Sequence, residues 1–577
     1  MLTKRLKPDK TLLQTLLFLL LVFLVSSFSL FLGYLLKKIN PAEYGLIQGQ
    51  KEDLEITYKE ILFFASLVIA FFVLSASFRY VKRRRLKVFL ISLAVVYISA
   101  SGLIILIDCI YYIIFSYRLT FSVVQTILNT NPEEVRGFIN LYYSPGNILA
   151  LVLFVLIVLL LVFKRQLFIR VVSTRSFFIT SLLLSFLGII DFGQTAHSKG
   201  NGPHNVRYWD IIIGEYNEYN EFNRRLGAEK NLQNLSKEYS GFYKQDSLPK
   251  TLVFVISESL NKRHMSLYGY PRKTTPHLDT NRSLIKFNNC VTQAALTIEA
   301  VPRLFFNGYL SKKINLITLL NSQGYETSWI SNQSAWGKGD RSIVLLSQLC
   351  KTSVFMDAMA DNDKANSSLH FDEDVLEQFN RAMATAPQKS KFIVVHLMGC
   401  HFEYEKRYPA EKSVFVSEPP AKRAVNTARA QKNINSYDNA MHYHDSIVNE
   451  IVKIFRKETQ NKNAALVFLA DHGEELYENR NYAGHGFPPS RVTSEIPYFT
   501  MLSPDFEQNY PDIRSTMEQR THVAYSTVNN FYTLVHLLNI SSPTHKSRIL
   551  KHGFFSPGYD STQTRFVMGV DYSKMNL

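Results

Sequence analysis

The tripeptide Asp471-His472-Gly473 breaks off an apolar run, Ala465-Leu466-Val467-Phe468-Leu469-Ala470. A carboxylate beside an imidazole offers good ligands to a borderline divalent cation. A short apolar run of branched residues reads as a strand buried on both faces. Ligands of open α/β sheets gather beyond the carboxyl ends of such strands. A second run, Thr251–Ser257, ends in Glu258. Glu258, Asp471 and His472 form a hard-to-borderline set suited to zinc or manganese. A carboxylate after a strand also serves as an N-cap, so each residue alone says little. Three at corresponding strand ends make a candidate metal centre.

Such a cation needs a group to activate. Between the first two predicted strands runs VTQAALTIEAVP, residues 291–302. Thr297 precedes a predicted helix, where backbone N–H groups stabilise anions. A hydroxyl bound to a divalent cation ionises near neutral pH. Taken alone, the position reads more simply as an N-cap threonine.

The elements that must position these residues follow from residue 250 onward. Predicted strands are Thr251–Ser257, Glu326–Ser331 (ending in Asn332), Phe392–Met398 (before Gly399-Cys400-His401), Ala465–Ala470 and Ile496–Leu502. Helical segments at 316–323, 373–385 and 437–456 separate them. That order predicts a largely parallel sheet covered by helices, an α/β domain over 251–577. His442, His444 and Asp445 on the 437–456 segment are read as packing and capping residues, not as ligands.

The first third is of another kind. Uncharged or nearly uncharged apolar runs occupy 11–36, 61–78, 88–115, 147–163 and 177–193, giving a predicted five-helix transmembrane domain over 1–193. The first run is longer than the apolar core of a signal peptide and has similar runs after it, so it is read as uncleaved. Lys and Arg cluster at the N-terminus, at 79–87 and at 164–175, which places those ends in the cytoplasm and residues after 193 outside it. These clusters therefore account for the basic residues of this region as topology signals, and the formal net charge of +16 is not read as a nucleic-acid site. Residues 194–250 carry Trp209, Ile212, Tyr216 and Tyr219 at helical spacing among charges. This linker reads either as an amphipathic helix on the membrane–water boundary or as a bridging helix packed on the soluble domain. Cys109, Cys290, Cys350 and Cys400 form no CxxC, and the last three allow at most one disulfide.

The stretch Leu252–Asp279, with Glu258-Ser259 and then Met265-Ser266-Leu267-Tyr268-Gly269-Tyr270-Pro271-Arg272-Lys273-Thr274-Thr275-Pro276, resembles the phosphoethanolamine transferases of Gram-negative inner membranes. The resemblance runs nearly end to end and is strongest in 252–310, 391–409 and 465–486. It implies five transmembrane helices joined to a periplasmic sulfatase-like domain of the alkaline phosphatase superfamily. By motif it implies Thr297 as nucleophile, and zinc held by Glu258, Asp471, His472 and Thr297. It further implies His401 and His485 at the substrate, Lys338 near the phosphate, and Thr130 and Glu134 in lipid-donor binding. Gln293 and Arg303 stand where lipid A-modifying relatives carry cysteines, and Leu296-Thr297-Ile298-Glu299 looks like the branch acting on core sugars.

The implied reaction takes phosphoethanolamine from phosphatidylethanolamine to lipopolysaccharide, at a core heptose or Kdo more than at lipid A, or to a related periplasmic glycan. It passes through a covalent phosphothreonine. The implied molecule is a monomer among membrane lipids with no nucleic-acid partner. A phosphoglycerol transferase or another membrane-bound phosphotransferase of the same superfamily is the alternative, since Thr nucleophiles occur there too. A sulfatase activity disagrees with Thr297, which lies outside a Cys-x-Pro-x-Arg type motif.

Overall fold

The computed structural model describes residues 239 and 241–575 except 308–313, 334–340, 357–369, 421–422, 480 and 487–488, together with residues 80–93 and scattered positions between 70 and 179. The five apolar runs lie largely outside the described residues, as do Thr130, Glu134, Lys338 and most of the 194–250 linker. Among the described residues no helix is long and apolar enough to cross a membrane. The chain divides into two compact units, and the second contains Asn220–Leu577.

That unit is built on a seven-stranded sheet. Its strands in chain order are β1 (Lys250–Ser257), β2 (Ile285–Phe287), β3 (Glu326–Ser331), β4 (Thr352–Phe355), β5 (Lys391–Leu397), β6 (Asn463–Ala470) and β7 (Tyr498–Leu502). In space the order is β2-β7-β6-β1-β5-β3-β4. Strand β1 lies at the centre, parallel to β6 over its whole length and to β5 from Thr251 onward, with Ser257 opposite Leu397 and Ala470. Every residue of β1, β5 and β6 is buried. This is what continuous apolar runs with a helix layer on each face require. Because the three strands are in register, their carboxyl ends open at one level.

Two features differ from the expected sheet. Strand β7 runs antiparallel to both β6 and β2, so the sheet is mixed. Strands β2 and β4 join at the two edges and have no apolar run to announce them. The first is three residues long with Lys286 at its centre, and the second is half exposed. Short, charged edge strands are the usual protection against edge-to-edge pairing.

Four helices matter for the site: α1 (Thr297–Arg303), α2 (Leu316–Ser322), α3 (Val375–Ala384) and α4 (Ala428–Glu458). Helix α4 has 31 residues and begins at Thr427, whose side chain accepts from the Ala430 N–H. Its first two turns are polar, so the apolar periodicity near 437 marks only its buried middle. From there Tyr437, Asp438, His444 and Asp445 reach the sheet and the 259–280 segment. Asp438 accepts from Arg272 Nη1 (2.7 Å) and Tyr270 OH (2.9 Å) and lies 2.7 Å from His264 Nδ1. Asp445 accepts the His277 and Leu278 N–H groups at 2.8 and 3.1 Å, capping the short helix Pro276–Thr280. Cys290, Cys350 and Cys400 are buried free thiols.

Candidate active site

Beyond the carboxyl ends of β1 and β6, Glu258, Asp471 and His472 come within metal-holding distance of one another, all buried. Pairing of β1 with β6 fixes this placement, since Ser257 and Ala470 are partners and the next residues are Glu258 and Asp471. Asp471 Oδ1 accepts the N–H of Ser259 (3.1 Å) and of His472 (2.7 Å). Ser259 takes a left-handed backbone, φ 59°, which a residue with a side chain rarely adopts outside a constrained site. Gly473 follows where a Cβ would lie 2.2 Å from the Val492 carbonyl, so no larger residue fits there.

Thr297 is the first residue of α1, with Leu296 as N-cap, so its hydroxyl is not spent on capping the helix. Thr297 Oγ1 donates to Glu258 Oε1 at 2.8 Å and lies 3.1 Å from His472 Nε2. His472 Nδ1 lies 3.0 Å from its neighbour's carbonyl, Gly473 O. A proton on Nδ1 satisfies that carbonyl and leaves the Nε2 lone pair facing the cluster.

The residues fit a divalent cation. Asp471 Oδ2 is buried with no hydrogen-bond partner, yet lies 3.3 Å from His472 Nε2. Burial, and the two carboxylates' mutual repulsion, push Glu258 well above the ordinary carboxyl range; burial raises Asp471 as well. Burial, with the His485 ring beside it, holds His472 down to about 3, so it stays neutral. Two crowded carboxylates and a neutral imidazole lack a positive charge.

His401 and His485 line the same opening. His401 Nε2 lies 3.4 Å from Glu258 Oε1, and the His485 ring sits 4.0 Å from that of His472. His485 Nδ1 lies 2.6 Å from Glu474 Oε2, whose other oxygen accepts from Tyr404 OH at 2.5 Å. Burial pushes Glu474 up to about 8 and His485 down to about 4. His472, Glu474 and His485 are also near enough to hold a metal, but here Glu474 is already engaged by Tyr404 and His485.

Three residues at the site had no role assigned from sequence. Gln333 donates its side-chain N–H to Glu258 Oε2. Glu474 stands in the Asp-His-Gly-Glu stretch itself, and its position two residues past His472 was its only signal. Tyr404, three residues past His401, had none.

A sulfatase family profile matches residues 250–540, about half of the chain. The EptC phosphoethanolamine transferase of Escherichia coli K12 is 28% identical over 458 residues, 74% of this chain and 76% of that protein. The chain belongs to the sulfatase family, among its phosphoethanolamine transferases. Its fold agrees with this. The zinc complex of the periplasmic domain of E. coli EptC superposes with a TM-score of 0.51 at 27% identity, covering 58% of this chain and 96% of that domain. The integral membrane protein EptA of Neisseria meningitidis shares the fold at 19% identity, with a TM-score of 0.55 over 85% of this chain and 97% of that one.

Proposed function

We propose that this phosphoethanolamine transferase moves phosphoethanolamine from phosphatidylethanolamine to a lipopolysaccharide acceptor, a core sugar before lipid A, through Thr297. The observation that carries the reading is the Thr297 hydroxyl, 2.8 Å from Glu258 and 3.1 Å from His472 inside the metal-fitting cluster. A zinc ion held by Glu258, Asp471, His472 and Thr297, with manganese as the alternative, supplies Lewis acidity that lowers the hydroxyl pKa. The zinc complex of the EptC domain supports that choice of metal.

In the first half-reaction Thr297 Oγ1 forms a bond to the donor phosphorus and the bond to the diacylglycerol oxygen breaks. His401 or His485, both at the opening, takes up the proton that Thr297 gives up and passes it to the departing oxygen. In the second, the same histidine takes the proton of the acceptor hydroxyl, whose oxygen bonds to phosphorus as the Thr297 oxygen leaves and receives that proton back. Glu474 holds His485 in one orientation throughout. Lys338 offsets charge on the phosphoryl oxygens, and Thr130 and Glu134 receive the donor headgroup. A membrane domain over 1–193 presents the catalytic domain, 251–577, to the periplasm, through the 194–250 linker.

Incubation with phosphatidylethanolamine and no acceptor is expected to add one phosphoethanolamine to a peptide spanning residues 288–303. That mass on any other residue refutes the mechanism. Mass spectrometry of lipopolysaccharide from strains with and without the gene names the acceptor. Alkaline phosphatase fused after residue 200 is expected to be active; a silent fusion there overturns the topology.

A further inference from the structure

His401 and the pair Asn332-Gln333 lie beyond strand ends, not on strands. After β3 comes Asn332-Gln333, and after β5 comes Met398-Gly399-Cys400-His401. Each loop touches Glu258, through the Gln333 side-chain amide and through His401. Both loops are rooted on one buried carboxylate, Asp372, in the turn before α3. Asp372 Oδ1 accepts from the Met398 N–H at 2.8 Å and from Asn332 Nδ2 at 2.9 Å. Its Oδ2 accepts from the Gly399 N–H at 2.9 Å and lies 3.6 Å from His444 Nδ1 on α4. His444 Nε2 in turn lies 3.1 Å from Ser257 Oγ, the residue before Glu258.

We propose that Asp372 is a positioning residue for the reaction: it clamps the two substrate-side loops to each other and, through His444, to the strand end that carries Glu258. A buried aspartate that caps a single loop has only a local structural role. Asp372 instead binds both loops that reach Glu258. Burial disfavours its charge, but His444, Asn332 and the Met398 N–H outweigh that and keep it below the ordinary carboxyl range. Its hydrogen bonds are therefore charge-assisted, roughly twice the strength of neutral ones. Asp372→Asn preserves shape but turns one acceptor into a donor facing N–H groups, so one loop root must shift. A misplacement of about 1 Å costs about a hundredfold in rate.

The inference deepens the proposed function, since it requires turnover at Thr297, but no particular acceptor. The test uses the full chain in detergent, with a soluble phosphatidylethanolamine analogue. Asp372→Asn is expected to lower kcat by about a hundredfold, with KM within about threefold and zinc per chain unchanged. In a His401→Gln background the same change is expected to cost less than about tenfold, because part of its effect runs through His401. Asp372→Glu, which keeps the charge, is expected to recover more activity than Asp372→Asn. A full additive cost in the His401→Gln background overturns the proposal. So does activity lost only in proportion to zinc or folded protein, which also covers a variant that folds poorly. Failure of the phosphatidylethanolamine reading appears separately, as a wild type that does not cleave the analogue.

Discussion

The two walls of the site are built differently. On the metal side, Glu258 and Asp471 directly follow partnered residues of two adjoining buried strands, and the sheet ladder holds them. On the substrate side, His401 and His485 lie on loops and are held by side chains from elsewhere. Glu474 and Tyr404 fix His485, and Asp372 fixes the root of the His401 loop. A ligand set needs fixed distances, which a ladder of backbone bonds supplies. Under the proposed function His401 and His485 meet two different substrates in turn, and loops held by side chains leave them room to do so without disturbing the sheet.

The contrast breaks most sharply at the point where the walls meet. Thr297→Ala is expected to lower transfer by about a thousandfold or more, with the fold intact by circular dichroism, because it removes one hydroxyl and one methyl. Thr297→Ser, which keeps the hydroxyl, is expected to retain part of the activity. On the metal side, Asp471→Ala is expected to strip zinc from the purified protein; full zinc content in that variant shows that the cation sits elsewhere. On the substrate side, Glu474→Gln is expected to lower kcat by about ten- to a hundredfold while zinc per chain holds. Loss of zinc with that change merges the two walls into one.

The metal side also predicts a pH dependence. Without a cation the raised carboxyls bind protons that must leave when one enters, whereas His472 is already neutral above about 3. Zinc affinity of the folded chain is therefore expected to rise with pH between the ordinary carboxyl range and neutrality, by up to about tenfold per unit for each proton released. Calorimetry in buffers of different ionisation enthalpy measures that release, and Glu258→Gln is expected to reduce it. The smallest effect is expected at Gly399, with φ +56°, where a Cβ would sit 2.5 Å from Glu258 O. Gly399→Ala is expected to lower the melting temperature by a few degrees, about 1–3 kcal/mol of backbone strain and crowding, and to slow turnover.

The same contrast explains what was legible in the sequence. Glu258, Asp471 and His472 follow apolar runs that read as buried strands, so the pattern made them a candidate set, and the structure brings them together. Thr297 has no such run before it, and needed a motif to raise it above a capping residue. Strands β2 and β4 are too short and too exposed to carry a period. Gln333 reaches Glu258 across 75 residues of chain, Tyr404 reaches Glu474 across 70, and Asp372 reaches Asn332 across 40. No local spacing encodes such a pairing. His444 and Asp445 show the reverse: both were set aside as ligands, and Asp445 caps a helix 168 residues earlier.

Helix α4 bears on how the chain reaches this state. Asn261, His264, Tyr270 and Arg272 find their partners on Tyr437, Asp438 and Asn435, about 160–180 residues later in synthesis. Until α4 emerges and docks, a nascent chain bears the central β1 strand without β6, and Arg272 without its carboxylate. Contacts of such sequence separation are slow to form, and exposed apolar strands are prone to aggregate meanwhile. The candidate active site therefore assembles late, after most of the domain has been made.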